Sequence, residues 1–269
     1  MTYRLARFTT AAVALVLSGA AHGVPLTARQ QRPPAPAGLD VRKFDAIEAL
    51  VRDEIGQKHL PGAVVLIGVG DRIVYQKAFG NRALVPSAEA MTLDTMFDVA
   101  SLTKVVATTT SVMMLIEQGK LRLVDRVATF IPGFERYGKA DITIRHLLTH
   151  VSGLRPDIDL DEWVGTDAAI QRAVEEVPTA PAGTRFVYSD INFFLLGEIV
   201  RRVSGQPLDE YTQEHVFKPL GMKDTMFNPP ASLIRGSRRR RAARRTATRA
   251  TAQAARCCGA SFTIRPRGG

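Results

Sequence analysis

Cysteine is nearly missing: Cys257 and Cys258 are the only two in 269 residues, and they are neighbours. Adjacent cysteines are poorly placed to bridge each other, so no disulfide framework is implied. A long apolar run is also missing. The nearest thing to one, from about Ala11 to Ala21, falls short of the roughly 20 residues that span a bilayer comfortably. Acidic residues are missing from one region altogether. Arg235 to Gly269 holds eleven arginines and no Asp, Glu or Lys, so this segment carries +11 of a total of +10, and the first 234 residues sum to −1. The basic pI of about 10.0 therefore describes the tail, and says nothing about the partners of an essentially neutral body. No internal repeat is present. An apolar fraction of 45% excludes a wholly disordered chain, and the length suits one large domain or two small ones.

The N-terminus reads as an export signal. Arg4 and Arg7 precede the apolar run, and small residues follow it up to Gly23, the order of a cleavable secretory signal over residues 1–23. Residues 24–38 contain QQRPPAPAG and form a Pro-rich linker without structure of its own. The folded part is expected over 39–230, outside the cytoplasm (periplasmic or secreted), with no stable membrane span after cleavage. An uncleaved anchor is the alternative. Residues 231–269 make the Arg-rich tail.

Periodicity organises the middle of the chain. Val41, Phe44, Ile47, Leu50, Val51 and Ile55 recur at helical spacing before Pro61-Gly62, which marks an amphipathic helix and its stop. AVVLIGVG and RIVYQKAFG, divided at Asp71, predict a hairpin. A helix follows Ser101 and ends at Gly119. Thr143 caps a short helix that stops by Gly153. Two more helices close at Gly205 and at Pro219 and Gly221. A helix, a hairpin and then many helices predict a helical region attached to a small sheet. Two strands alone are marginal in water. After Met226 only SFTIR reads as a possible further strand.

Chemistry concentrates in FDVASLTKVVATTTSVMMLIEQGK. Ser101 and Lys104 stand at i and i+3, on one face at the front of a helix. The helix N-terminus favours developing negative charge there. A lysine whose pKa is lowered by partial burial could take or relay the serine proton. On its own, S-x-x-K is common by chance, and an N-terminal helix serine beside a solvated lysine is the better reading of it. His146 and His150 have the i, i+4 spacing of zinc-binding H-E-x-x-H, but Leu147 stands where that motif has Glu and no third ligand stands out.

Four segments, FDVASLTK, ITIRHLLTHVSGL, PAGTRFVYSDINFFLLGEIVRRVSG and PLGMKDTMF, occur in this order. Together they resemble the serine β-lactamase and penicillin-binding protein family, in its class C-like branch, from about Phe44 to Phe227. The resemblance implies an α/β (α+β) fold: a β-lactamase/DD-peptidase-like antiparallel sheet domain plus an all-helical domain, with the site between them. It implies Ser101 as the acylated nucleophile, Lys104 as the lysine that activates it, and Tyr188 as the tyrosine of Y-x-N, a general base that returns the proton to the leaving group. Asp190 stands where Asn is usual; it can accept hydrogen bonds from Lys104 or substrate but cannot donate an amide N–H. The Ser101 N–H would form half of an oxyanion hole. Read residue by residue, Tyr188 as a packed loop tyrosine and Asp190 as a helix cap remain open. The implied substrate is a β-lactam, a peptidoglycan-type D-amino-acid peptide or a small ester. No cofactor, no metal and no nucleic acid are called for.

Relatives of this kind carry a third motif, K-T-G or H-x-G, and none follows Tyr188 here. The expectation is therefore a C-terminally truncated domain with an incomplete sheet, prone to misfolding, aggregation or weak turnover. A frame-shifted reading of CCGASFTIRPRGG, with suitable codons, gives LRGEFHDPPAG, which resembles the G-x-x-H-D segment of relatives. The segment from about Arg235 is accordingly expected to be out of frame. The rival readings are a non-catalytic exported remnant or binding module of the same fold, and a basic tail binding nucleic acid.

Overall fold

Two β-rich runs set the sheet. In the computed structural model, which describes residues 40–158, 165–230, 233 and 263–264, β1 (Gly62–Val69) and β2 (Arg72–Ala83) form the expected antiparallel hairpin. Their register runs from Gly62↔Gly80 to Val69↔Arg72, with an irregularity between Ile67 and Gly68. The sequence reading placed no strand between the hairpin and Ser101. One exists: β3 (Glu89–Ala90) pairs antiparallel with β2. A separate two-stranded ladder joins β4 (Phe97–Asp98) to β5 (Thr263–Ile264), with Phe97 opposite Ile264. The SFTIR stretch thus does supply a strand, but beside the approach to Ser101 rather than beside the hairpin. The expected signal 1–23, the linker 24–38 and nearly all of the Arg-rich segment 231–269 lie outside the described residues.

Helix α1 (Asp45–Gly56), preceded by a 3-10 turn at Val41–Phe44, lies against β2. Phe44 meets Tyr75 edge-on at 5.4 Å, and Glu48 bonds both Arg52 and Lys77. None of its residues is fully buried, and Leu50 on α1 and Leu66 on β1 remain exposed. Hydrophobic burial is concentrated elsewhere, in the helical region.

There α5 (Asp190–Ser204) is the central element. Ile191, Phe193, Phe194, Leu195, Leu196, Ile199 and Val200 are all buried. A helix buried over most of its length is one surrounded by others. Around it pack α2 (Thr110–Glu117), α3 (Ile144–Leu148), α4 (Thr166–Glu175) and α6 (Leu208–Thr212). Val112, Leu115, Leu147, Ile170 and Leu208 complete the core. Gly205 ends α5 in the left-handed conformation, as its position in the sequence leads one to expect.

Two features depart from the sequence reading. Helix α4 is additional; its buried face is partly alanine (Ala169, Ala173), a weak periodic signal. The helix behind Ser101 does not begin as a regular α-helix. Lys104–Thr109 is π-helical and only then continues as α2. Single π-turns are often found at functional sites. Among the described residues no helix is long and apolar enough to cross a membrane.

Candidate active site

Ser101 is presented by a strained turn. Ala100, just before it, has φ 45°, a conformation that costs a non-glycine residue about 1–2 kcal/mol. Asp98 holds the turn by accepting the Ala100 N–H at 2.9 Å. Helical hydrogen bonding then begins, with Leu102 N–H to Val99 O and Lys104 N–H to Ser101 O. The serine is exposed at the point where the chain enters its helix.

All four residues singled out from sequence meet here. Lys104 Nζ lies 3.4 Å from Ser101 Oγ and 2.6 Å from Asp190 Oδ1. It also stands 5.1 Å from the centre of the Tyr188 ring and 5.7 Å from that of Phe193, distances of a cation–π contact. Asp190 is the first residue of α5 and Tyr188 lies in the loop before it. The one loop-to-helix junction therefore delivers both groups to Lys104.

The lysine's electrostatics reverse an expectation. Burial is the largest influence and pulls its pKa down. Hydrogen bonds to Asp190 and to the Tyr188 hydroxyl, with their charges, outweigh it, and the net result is a raised pKa. Lys104 therefore rests as a cation, not as the neutral amine that burial alone would favour. Asp190 is the reason: an Asn at this position would carry no charge to hold the ammonium.

Three further groups belong to the site. His150 stacks on Tyr188 with ring centres 4.5 Å apart. Its Nδ1 accepts the Ser189 N–H at 3.0 Å. Asp157 sits where the preceding loop is tied to α5: Pro156 O accepts the Asp190 N–H at 2.7 Å and Arg155 O accepts the Ser189 hydroxyl at 2.6 Å. Burial pushes the Asp157 carboxyl up and the Asp190 charge adds to this, against the hydrogen bond from the Ile158 N–H and the charges of Lys104 and Arg155. Asn192 is fully buried behind His150. The sequence reading passed over Asp157 and Asn192, although His150 and Asn192 fall inside the two segments that carry the resemblance.

The histidine pair does not form a zinc helix. Helix α3 ends at Leu148, and His150 has a left-handed φ of 58°. His146 is used locally in a capping box: its N–H bonds Thr143 Oγ1 at 3.4 Å, and its Nδ1 accepts the Thr143 N–H at 3.2 Å. Among the described residues, no group of three or more His, Cys, Asp or Glu could hold a metal ion.

The Beta-lactamase family model matches residues 47–263, running past the Phe227 boundary of the sequence resemblance. A putative D-alanyl-D-alanine carboxypeptidase of Escherichia coli K12 is 32% identical over 73% of this chain and 50% of its own length. The octameric penicillin-binding protein homologue from Pyrococcus abyssi superposes with a TM-score of 0.62 at 30% identity, over 70% of this chain and 45% of that one. A class C β-lactamase from Rhodobacter sphaeroides gives a TM-score of 0.62 at 26% identity, over 72% and 54%. The chain spans about half the length of the curated relatives it matches. With a matching family model over most of its length and a mixed fold shared with these structures, the chain belongs to the Beta-lactamase family, the serine hydrolases of β-lactamase and DD-peptidase type.

Proposed function

We propose that the protein is an exported serine hydrolase that works through an acyl-enzyme on Ser101. The supporting observation is the convergence of Ser101, Tyr188 and Asp190 on Lys104, with Nζ 3.4 Å from Oγ while Asp190 holds it at 2.6 Å. The strained Ala100 turn sets the nucleophile at the mouth of the helix.

In this reading Ser101 Oγ attacks the carbonyl carbon of the substrate. Its proton passes to the Tyr188 oxygen, which stands beside the Lys104 cation. Tyr188 then returns the proton to the departing amine or alkoxide. An ester on Ser101 remains, and water hydrolyses it. Lys104 acts as a fixed positive charge rather than as the base, because Asp190 keeps it protonated. The backbone N–H of Ser101, at the positive end of the helix, faces the developing oxyanion. Substrates are of the class such machinery acylates: β-lactams, D-amino-acid peptides of the peptidoglycan type, or small esters. The identity to a putative D-alanyl-D-alanine carboxypeptidase supports the peptide. Export, to the periplasm or the medium, rests on Arg4, Arg7 and the apolar run that follows.

Labelling tests this more directly than turnover, since it needs only the nucleophile and its activating groups. The full chain is treated with a fluorescent fluorophosphonate and, separately, a fluorescent penicillin. Stable labelling that disappears in Ser101→Ala is the expected result. Equal labelling of both proteins, or of neither, refutes the acyl-enzyme reading and leaves a binding module of the same fold.

A further inference from the structure

His150 has no part in the chemistry just described, yet it is bonded to every segment that carries Tyr188 and Asp190. Its carbonyl accepts the Val187 N–H at 2.8 Å, and the neighbouring Val151 carbonyl accepts the Gly183 N–H at 2.7 Å. These bonds lay the turn from His150 to Gly153 along the strand-like approach to the tyrosine. The ring continues the attachment. One face stacks on Tyr188, Phe193 packs at 5.2 Å and Phe186 meets it edge-on at 6.0 Å.

The hydrogen bonds at Nδ1 define the state of the ring. Ser189 N–H points at Nδ1 from 3.0 Å and Asn192 Nδ2 faces it from 3.4 Å. The orientation of that amide is fixed by Ser152. The Ser152 hydroxyl accepts the Leu154 N–H at 3.2 Å and donates its own hydrogen to Asn192 Oδ1 at 2.7 Å. The amide oxygen is thereby committed, and the NH₂ group is turned toward His150. Ser152, Ser189 and Asn192 are all buried, so none of these bonds is readily exchanged for water. Two donors converging on one nitrogen require a lone pair there. The single ring proton then resides on Nε2.

We infer that His150 is a positioning residue: its neutral, Nε2-protonated ring holds Tyr188 and Asp190 in register with Lys104, and protonation of Nδ1 releases them. A second ring proton would set N–H against N–H at Ser189, and the residue carrying that amide lies between Tyr188 and Asp190. The surroundings resist that proton. Burial is the largest influence lowering the His150 pKa and the Lys104 cation adds to it, while Asp190 opposes. Lys104 comes from the helix behind Ser101, Asp190 from α5, and Tyr188 from the intervening loop; among the described residues these are the charged and titratable groups that face the ring. The site would accordingly lose its geometry in acid through a group that never touches substrate.

The inference rests on the Ser101 reading for its catalytic consequence, but not for the ring state. Two measurements on the full chain keep them apart. The first is nitrogen-15 NMR of the His150 imidazole with titration, read together with the Ser189 amide resonance. The expected result is an unprotonated Nδ1 at neutral pH and a Ser189 amide that shifts as the ring titrates. A protonated Nδ1 at neutral pH, or a Ser189 amide indifferent to the titration, overturns the inference whether or not the protein labels. The second is the pH dependence of fluorophosphonate labelling in His150→Asn and His150→Phe. Asparagine tolerates positive φ, keeps an acceptor near the Nδ1 position and does not titrate. It should label within about tenfold of the native rate at neutral pH, the scale of one weakened hydrogen bond, and lose one acid limb of the profile. Phenylalanine keeps a stacking ring without the acceptor and should slow labelling on the order of 100-fold, the scale of a misplaced catalytic group. An unchanged acid limb in His150→Asn, or native labelling in His150→Phe, overturns the inference. If the native protein itself fails to label, the acyl-enzyme proposal falls and the NMR result alone decides the role of His150.

Discussion

Replacing Gly153 by alanine should be among the most damaging one-methyl changes available in this chain. Gly153 has φ +82°, and a Cβ built there lies 1.9 Å from Ala180 O and 3.0 Å from Ala180 C. Three contributions follow. Forcing an L-residue into the left-handed region costs about 1–2 kcal/mol, partly offset by about 0.4–1 kcal/mol from a less flexible unfolded chain. The carbonyl cannot rotate out of the way as a side chain can, so backbone must move, and overpacking of this kind costs about 1–3 kcal/mol. The movement also strains the bond from Thr179 N–H to Gly153 O, 2.8 Å long, worth about 0.5–1.5 kcal/mol. Together these give about 2–5 kcal/mol. At roughly 2–4 °C per kcal/mol for a chain of this size, the melting temperature should fall by about 4–20 °C. Gly205→Ala is the control. That residue has φ +79° and nothing within 4 Å of its Cβ, so only the backbone contribution of about 1 kcal/mol remains. Thermal unfolding followed by far-UV circular dichroism measures both. If the two variants melt within about 2 °C of each other, the close approach of Gly153 to Ala180 is not a feature of the folded protein, and the placement of the adjoining His150 turn falls with it.

Asp190→Asn should move the limb of the labelling profile that reports Lys104 to lower pH. With the carboxylate gone, burial acts on the lysine against Tyr188 alone; a pH–rate profile with the limb in its native place would contradict this. The same pair sets an alkaline dependence of stability. Because the Lys104 pKa is raised in the folded state, its contribution is complete below the ordinary lysine value and is lost as pH climbs through the folded one; melting curves from neutral to strongly alkaline pH should show that loss in the native protein and not in Asp190→Asn. Glu198 works in the opposite direction. Burial, the largest influence, opposes its ionisation, but bonds from Arg201 at 2.7 Å and Arg202 at 2.6 Å prevail and its pKa is lowered. Its contribution is present above the ordinary glutamate value and lost as pH falls through the folded one. Glu198→Gln should cost about 1.5–3 kcal/mol near neutrality and flatten the melting temperature across acid pH; a native-like acid dependence in the variant would contradict the assignment.

The legibility of this chain followed its chemistry unevenly. Helix α5 could be read because a dense apolar run ends on a glycine, and the hairpin because two β-rich runs are divided at Asp71, after Gly68 and Gly70. Ser101 and Lys104 could be read from their spacing, Tyr188 and Asp190 only through the resemblance to the family, and the fold does bring the four together. Strand β3 escaped because two residues carry no period, and α4 because alanine marks a buried face faintly. The π-helical opening at Lys104 is a choice of hydrogen-bond partner that no residue type announces. Lys104 itself was half legible. Its burial follows from an apolar helix, but the direction of its pKa depends on a carboxylate brought from a distant segment. His150 was weighed only as half of a zinc pair and set aside, for a similar reason. Spacing to His146 is a helical argument, and α3 stops at Leu148, before His150 is reached.

One experiment bears on the central claim above all others: intact-mass measurement of the full chain after fluorophosphonate treatment, followed by peptide mapping of the adduct. The account predicts a single adduct on the peptide containing Ser101, formed by the native protein and absent from Ser101→Ala. No adduct on a protein shown to be folded by its melting transition, or an adduct that persists in Ser101→Ala, would contradict it.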